Sequence, residues 1–290
     1  MSIDGFDKIY GNVISLQKEL LRYFRYTHEQ KTISVNEKTW NYFTSGFGKE
    51  TILFLPGGTR TGESFAIYPY LENDFKIIAP TYPIVRTISE LVDGINGILE
   101  NERISSVNLL GTSLGGMISQ VFVRKYAEKI KKMIIANTMP PSPEYNKRTK
   151  NTIQLLKIMP NYIIRNLTRK SLGNIWKEAD ETEKEFWQAY LKELLINHLS
   201  KAWIITQFSL SYDYSINYSF NPNDLAYWKG DMLIIYSDKD DTFDLTIQSR
   251  LLDLYPNAKS KIFMNSGHTP ALSNKEEYIQ TIIDFFSGEI

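Results

Sequence analysis

The stretch that most constrains this chain is residues 107–126, VNLLGTSLGGMISQVFVRKY. A short apolar run, Val107–Leu110, reads as a buried strand. The chain then turns through Gly111-Thr112-Ser113-Leu114-Gly115-Gly116. It leaves with Met117, Ile118, Val121 and Phe122 on one face at helical spacing. Gly-x-Ser-x-Gly between a strand and a helix is the pattern of a nucleophile elbow. The glycines have a steric reason: a sharp turn holds the serine in a strained conformation, and strand and helix pack too closely for side chains two residues away. Ser113 would then stand at the carboxyl edge of a sheet, with the amino end of the following helix aimed at any negative charge that develops there.

The elbow needs a sheet around it, and the rest of the chain supplies the pattern of one. Residues 9–26 read as an amphipathic helix. Residues 31–35 and 39–44 read as strands turning at Asn36-Glu37. Residues 51–55 are a buried strand ending in Pro56-Gly57-Gly58-Thr59, a glycine turn whose N–H groups can face a ligand. Its place upstream of the elbow favours an oxyanion-hole role. Residues 75–79 form a strand, with an extended, turn-rich stretch at Pro80–Pro83; 88–101 a helix; and 132–136 a strand. Strands and helices alternating at these lengths make a mostly parallel sheet, covered on both faces, with ligands at the carboxyl ends of its strands.

From about residue 140 to 228 the alternation stops. Helical patterns replace it, at roughly 147–158, 161–171, 182–198 and 199–211, with dense aromatics from Trp176 to Trp228. This reads as a helical lid inserted into the sheet domain. Most of the rings would hold the lid together, and some would line a pocket. Arg165, Arg169 and Lys170 read as a solvated face. The sheet rhythm returns at 231–236, followed by Ser237-Asp238-Lys239-Asp240-Asp241, a helix at 243–254, a strand at 261–264, Ser266-Gly267-His268-Thr269-Pro270 and a helix at 275–287. The expected division is a core of 1–139 and 229–290 interrupted by a lid of 140–228.

A serine hydroxyl needs a base in hydrogen-bond reach, and the base needs an orienting group. Of three histidines, only His268 follows a strand of the same sheet; His28 and His198 read as structural. The orienting carboxylate should end a strand, where Asp240 fits, Asp241 is the runner-up and Asp238 comes too early in the turn. The turn after 132–136 offers Asn137 and no carboxylate.

The chain of 290 residues carries 33 Lys and Arg against 33 Asp and Glu, which gives no reason to expect nucleic acid or an anionic membrane as partner. It has no cysteine, so disulfides, thiolate metal sites and cysteine catalysis are excluded. No metal, dinucleotide or P-loop pattern occurs, so no cofactor is expected. The amino terminus has no apolar stretch of signal-peptide length and no run reaches membrane-span length, so a cytoplasmic protein with a small-molecule substrate is the expectation.

Taken in order, LPGG, GTSLGG, SDKDD and SGHTP resemble the α/β-hydrolase superfamily from about residue 31 to the carboxyl end. The resemblance implies an eight-stranded, mostly parallel sheet. It also implies Ser113 as nucleophile, His268 as base, Asp240 as its orienter, and an oxyanion hole from the N–H groups of Gly58 and Leu114. An aspartate nucleophile, as in dehalogenases and epoxide hydrolases of this fold, is absent. The sequence departs from the superfamily at Pro56, where many members have histidine, and at Thr81-Tyr82-Pro83, which replaces an Asp-x-Arg-Gly turn. IAPTYPIV, LKIMPNYIIRN and LYPNAKSKIFMNSG are similar to maspardin-like proteins, regarded as binding proteins with an incomplete triad; here His268 fills the base position. The expected activity is a serine hydrolase acting on an ester, thioester or related acyl bond of a small apolar substrate. The alternatives are a C–C bond hydrolase on the same residues and a non-catalytic binding or scaffold protein.

Overall fold

The computed structural model describes residues 3–176, 179 and 181–290, so Lys177, Glu178 and Asp180 of the 140–228 segment lie outside the described residues. Eight strands form one sheet: β1 (Gln30–Val35), β2 (Lys38–Ser45), β3 (Glu50–Leu55), β4 (Phe75–Thr81), β5 (Val107–Thr112), β6 (Ile130–Ala136), β7 (Asp231–Ser237) and β8 (Lys259–Phe263). Their spatial order is β1-β2-β4-β3-β5-β6-β7-β8. β2 runs antiparallel to β1 and β4, and every other pair is parallel. The central strands are continuous apolar runs because helices cover both faces. Ile52, Leu53, Leu55, Leu109, Leu110, Met133, Ile134 and Ile135 are all buried. The β1–β2 hairpin turns at Asn36 and Glu37, both with positive φ, which matches the twist of its strands.

The helices are α1 (Ile3–Tyr10), α2 (Leu16–Thr27), α3 (Tyr68–Leu71), α4 (Ile88–Asn101), α5 (Leu114–Lys125), α6 (Asn146–Ile158), α7 (Asn161–Ile175), α8 (Lys184–Asn197), α9 (Lys201–Asn217), α10 (Leu245–Leu254), α11 (Pro270–Ser273) and α12 (Lys275–Ser287). From β3 the chain crosses through α3 to β4 on one side. From β5 it crosses through α5 to β6 on the other. Right-handed crossovers then place α3 and α5 on opposite faces. α12 joins the α3 face, where Lys275 donates to the Tyr70 hydroxyl (2.9 Å) and Phe286 meets Phe75. α4 and α5 lie side by side, with the Tyr126 hydroxyl on Asp93 (2.9 Å). α6, α7, α8 and α9 all fall between β6 and β7 as a helical insert.

Several segments differ from the sequence expectation: α7 runs to Ile175 rather than 171, α9 to Asn217 rather than 211, β8 starts at Lys259 rather than 261, and two further differences have a local cause. The helix expected over 9–26 is two helices. α1 ends at Gly11, whose N–H still reaches Asp7, and Ser15 starts α2 by accepting the Gln17 N–H (3.0 Å). The apolar period runs across the break because Tyr10, Leu21 and Phe24 are buried on both sides of it. β4 also runs two residues beyond the expected end, through Pro80. Its pairing with β3 stops at Leu53–Ile78, so the missing proline N–H interrupts no parallel rung.

The amino-terminal helices are tied to the insert by a buried charge network. Arg25 of α2 donates to both carboxylate oxygens of Glu63 (2.6 and 2.8 Å) and of Glu193 in α8 (2.9 and 3.2 Å). The Tyr10 hydroxyl also donates to Glu193. Both carboxylates are largely shut off from solvent, with side-chain exposures of 9% and 3%. Removing the cation alone would leave two buried anions facing each other. Arg25→Ala should therefore lower stability by ~3–5 kcal/mol, read as a fall in the urea midpoint. Arg25→Lys should recover part of it, and a midpoint unchanged in the alanine variant would show the network to be inert.

Candidate active site

β3 and β5 are neighbours in register, Leu55 beside Gly111, and their following connections leave in opposite directions. That is a topological switch point, where the carboxyl ends of two strands open a crevice. The turn after β3 and the turn after β5 therefore meet. A Cβ placed on Gly57 would lie 3.2 Å from the Cβ of Ser113.

Ser113 has φ 52° and ψ −115°, a conformation that a side chain rarely adopts. The surroundings impose it. The Ser113 N–H donates to Ala136 O at the end of β6 (2.9 Å), and its carbonyl accepts from Gly116 N (2.9 Å), Met117 N (3.2 Å) and Thr138 Oγ1 (2.7 Å). A Cβ on Gly115 would sit 2.0 Å from the Leu55 carbonyl, and one on Gly111 would sit 2.1 Å from Ser119 Oγ and 2.5 Å from Gly115 O. The flanking glycines are thus demanded by close approach.

His268 lies in the loop between β8 and α11. Its Nε2 is 3.0 Å from Ser113 Oγ, and its Nδ1 is 3.0 and 2.9 Å from the two carboxylate oxygens of Asp240. The Phe243 ring stands edge-on to the imidazole, 5.4 Å between centroids. Asp240 is buried. Its Oδ1 accepts from the N–H groups of Thr242 (2.8 Å) and Phe243 (3.0 Å), and its Oδ2 from Asn137 Nδ2 (3.0 Å). Burial alone would raise this carboxyl. The hydrogen bond and charge of His268, the Asn137 amide and the Phe243 N–H outweigh it and hold the carboxyl below the usual range.

The structure brings Asp240 to His268, while Asp241 is exposed. Asp238 does another job, accepting from Ser266 N (3.1 Å) and so tying the β7 loop to the loop that carries His268. His28 is paired with Glu72 (2.9 Å) and stacked on Phe24. His198 is half-buried in the insert, and burial lowers its pKa. Gly58 and Leu114 lie in the two turns that meet. Leu114 is the first residue of α5, so its N–H has no partner within the helix. Among the described residues no acceptor takes the N–H of either.

Several residues of the site were not assigned to it from sequence. Asn137, with φ 44°, spans Asp240 Oδ2 and Ser237 Oγ (3.0 Å) and fixes the carboxylate from the β6 side. The Thr81-Tyr82 stretch braces the glycine turn, with Tyr82 OH on Pro56 O (2.9 Å) and Thr81 Oγ1 accepting Gly62 N (3.0 Å). From the insert, Trp203 Nε1 donates to Gly58 O (3.0 Å), and a Cβ on Gly58 would fall 2.3 Å from Gln207 Nε2. Trp203 and Gln207 are one turn apart on α9, so a single helix face covers the turn. Two groups of insert rings pack on one another: Trp176, Phe186, Trp187 and Tyr190, joined by Phe65, and Tyr214, Tyr218 and Phe220. Among the described residues no three His, Cys, Asp or Glu side chains gather as a metal site, and no helix is long and apolar enough to cross a membrane.

The family model described as the alpha/beta hydrolase fold matches residues 50–275. Maspardin from Danio rerio is 24% identical over 281 residues, 92% of this chain and 86% of its own length. The 2-hydroxy-6-oxononadienedioate/2-hydroxy-6-oxononatrienedioate hydrolase of Paraburkholderia phymatum is 23% identical over 262 residues, 84% of this chain and 90% of its own. Among solved structures, a hydrolase from Pseudomonas aeruginosa aligns with a TM-score of 0.73 at 15% identity, covering 89% of this chain and 98% of that one.

The Asp240 carboxyl has a lower pKa folded than its unfolded value near ~3.9. Its charge therefore stabilises the fold above that value, and the contribution is lost as pH falls toward the folded value. The stability gap between wild type and Asp240→Asn should accordingly shrink as pH is lowered from about 5 to about 3, followed by urea titration. A gap constant with pH would show that the charge is not stabilised in the fold.

Proposed function

The chain belongs to the alpha/beta hydrolase fold family, and on that premise we propose that it is a serine hydrolase cleaving an ester, thioester or related acyl bond through an acyl-enzyme. The observation that carries this reading is the unbroken path from Ser113 Oγ to His268 Nε2 at 3.0 Å and from His268 Nδ1 to Asp240 at 2.9 Å. A binding protein of the same fold has no need of that path. Ser113 Oγ attacks the acyl carbonyl while its proton passes to His268 Nε2. Asp240 holds the Nδ1–H and stabilises the imidazolium. The N–H groups of Gly58 and Leu114 receive the oxyanion, and the partial positive charge at the start of α5 adds to theirs. His268 gives its proton to the leaving group, then takes one from the water that attacks the acyl-enzyme. The second tetrahedral intermediate collapses, Ser113 leaves and regains a proton from His268, and the acid product is released.

We take residues 140–228 as a lid on a core of 1–139 and 229–290. The Gln207 side-chain amide lies against Gly58 and makes no hydrogen bond among the described residues, which supports it as the lid's substrate-facing donor. Phe243 beside His268 supports an apolar acyl or leaving group. A C–C bond hydrolase acting on a ketone is the second reading. The Paraburkholderia phymatum relative, by name a hydrolase of a 2-hydroxy-6-oxo dienedioate or trienedioate, favours it, and the same serine, histidine and oxyanion donors serve both reactions.

A fluorophosphonate probe should form one adduct, mapped to Ser113 and absent in Ser113→Ala. No adduct on folded protein would overturn the hydrolase reading and leave that of a binding protein. On an ester substrate that labels turnover, Asp240→Asn should cost on the order of 10⁴-fold in kcat, and Gln207→Ala should raise KM more than it lowers kcat.

A further inference from the structure

The equal count of acids and bases hides an uneven distribution. Residues 146–176, which build α6 and α7, hold seven Lys and Arg and no Asp or Glu. The rest of the chain accordingly has twenty-six bases against thirty-three acids. All seven side chains, Lys147, Arg148, Lys150, Lys157, Arg165, Arg169 and Lys170, are exposed, and among the described residues none is in an ion pair. Like charges one turn apart, as at Arg165 and Arg169, destabilise a helix on their own. Glu144, the acid just before α6, is taken up by Arg250.

The same two helices expose large apolar side chains. Ile158 is 82% exposed, Tyr162 68%, Leu155 53% and Leu167 52%. Leu155, Ile158 and Tyr162 flank the Met159-Pro160 turn, so they form the tip of the α6–α7 hairpin, with Lys157 and Arg165 on either side. Inward, the hairpin rests on α9 through a small cluster of Leu156, Ile164 and Ile204. Lys201 of α9 caps the end of α6 through Lys157 O (2.9 Å) and Met159 O (2.8 Å).

We propose that the α6–α7 hairpin docks on an anionic phospholipid membrane, its seven cations on the headgroups and Leu155, Ile158 and Tyr162 in the interface. Charge complementarity selects an anionic partner. The apolar tip then selects a bilayer over a nucleic acid or an acidic polypeptide, because only the bilayer offers acyl chains beneath its charges. Surface binding of this kind needs no spanning helix. Docking would bring α9, and with it Trp203 and Gln207, to the membrane side of the molecule, so substrate partitioned in the bilayer would lie near the site. The surface itself stands without the hydrolase reading.

The test is co-sedimentation of the full chain with large unilamellar vesicles, since no ligand needs to be known. The protein should pellet with vesicles of phosphatidylcholine containing about 30% phosphatidylserine and stay in solution with phosphatidylcholine alone. Raising salt to about 0.5 M should release most of it. Arg165→Glu/Arg169→Glu/Lys170→Glu should weaken binding at least about tenfold, and Ile158→Ser/Tyr162→Ser at least about threefold. Circular dichroism confirms that both variants are folded. The proposal falls if neither vesicle binds, if both bind equally, or if the charge-reversed variant pellets like wild type. It falls as well if the Ile158/Tyr162 variant keeps full binding, which would reassign the face to a soluble polyanion.

Discussion

The site depends on how closely the amino end of α5 lies against the end of β3. Where Gly115 passes the Leu55 carbonyl there is no space for a Cβ. That contact fixes the elbow, which holds Ser113 at positive φ and leaves the Leu114 N–H without a helical partner. It also brings the Pro56–Thr59 turn beside the serine. The strain at Ser113 is held by three donors on its own carbonyl and by the β6 carbonyl that takes its N–H. A larger residue at 115 would move all of these together, because backbone cannot yield as a side-chain end can.

Around that contact each member of the site is fixed from a different strand. β5 delivers Ser113, β7 delivers Asp240 and the loop after β8 delivers His268. β6, which supplies no acid, supplies Asn137, whose amide holds Asp240 from the far side. Four donors converge on the Asp240 carboxylate, and together they keep it ionised in a place where burial alone would protonate it. An ionised Asp240 is what orients the imidazole with Nδ1–H toward the carboxylate and Nε2 toward the serine.

The elements legible in the sequence were those with one dominant local cause. β3, β5, β6 and β7 are continuous apolar runs, and α4 and α12 have uninterrupted helical periods, so their positions could be read almost to the residue. Ser113 and Asp240 each follow such a strand, whereas His268 follows β8, a short and largely exposed strand. The break between α1 and α2 was hidden because burial of Tyr10, Leu21 and Phe24 keeps the apolar period running across Gly11–Ser15. Asn137, Tyr82, Trp203 and Gln207 carry no local signature. Each acts on a residue at least fifty positions away, except Tyr82, which reaches back to Pro56 in the turn after the neighbouring strand. Such partners are set by tertiary packing, which periodicity does not report.

The helical insert shows how one segment serves two surfaces. α8 is gripped from the amino-terminal side through Glu193, Arg25 and Tyr10. α9 faces the glycine turn through Trp203 and Gln207 and carries the α6–α7 hairpin on Ile204, the residue next to Trp203. The hairpin is held on α9 by the Leu156, Ile164 and Ile204 cluster, by Lys201 on the end of α6 and by the Ser215 hydroxyl on Asn146, while α8 is anchored by buried charge and a packed ring cluster. Since α9 lies between them, a displacement of the hairpin reaches the Gly58 carbonyl through the Trp203 indole N–H.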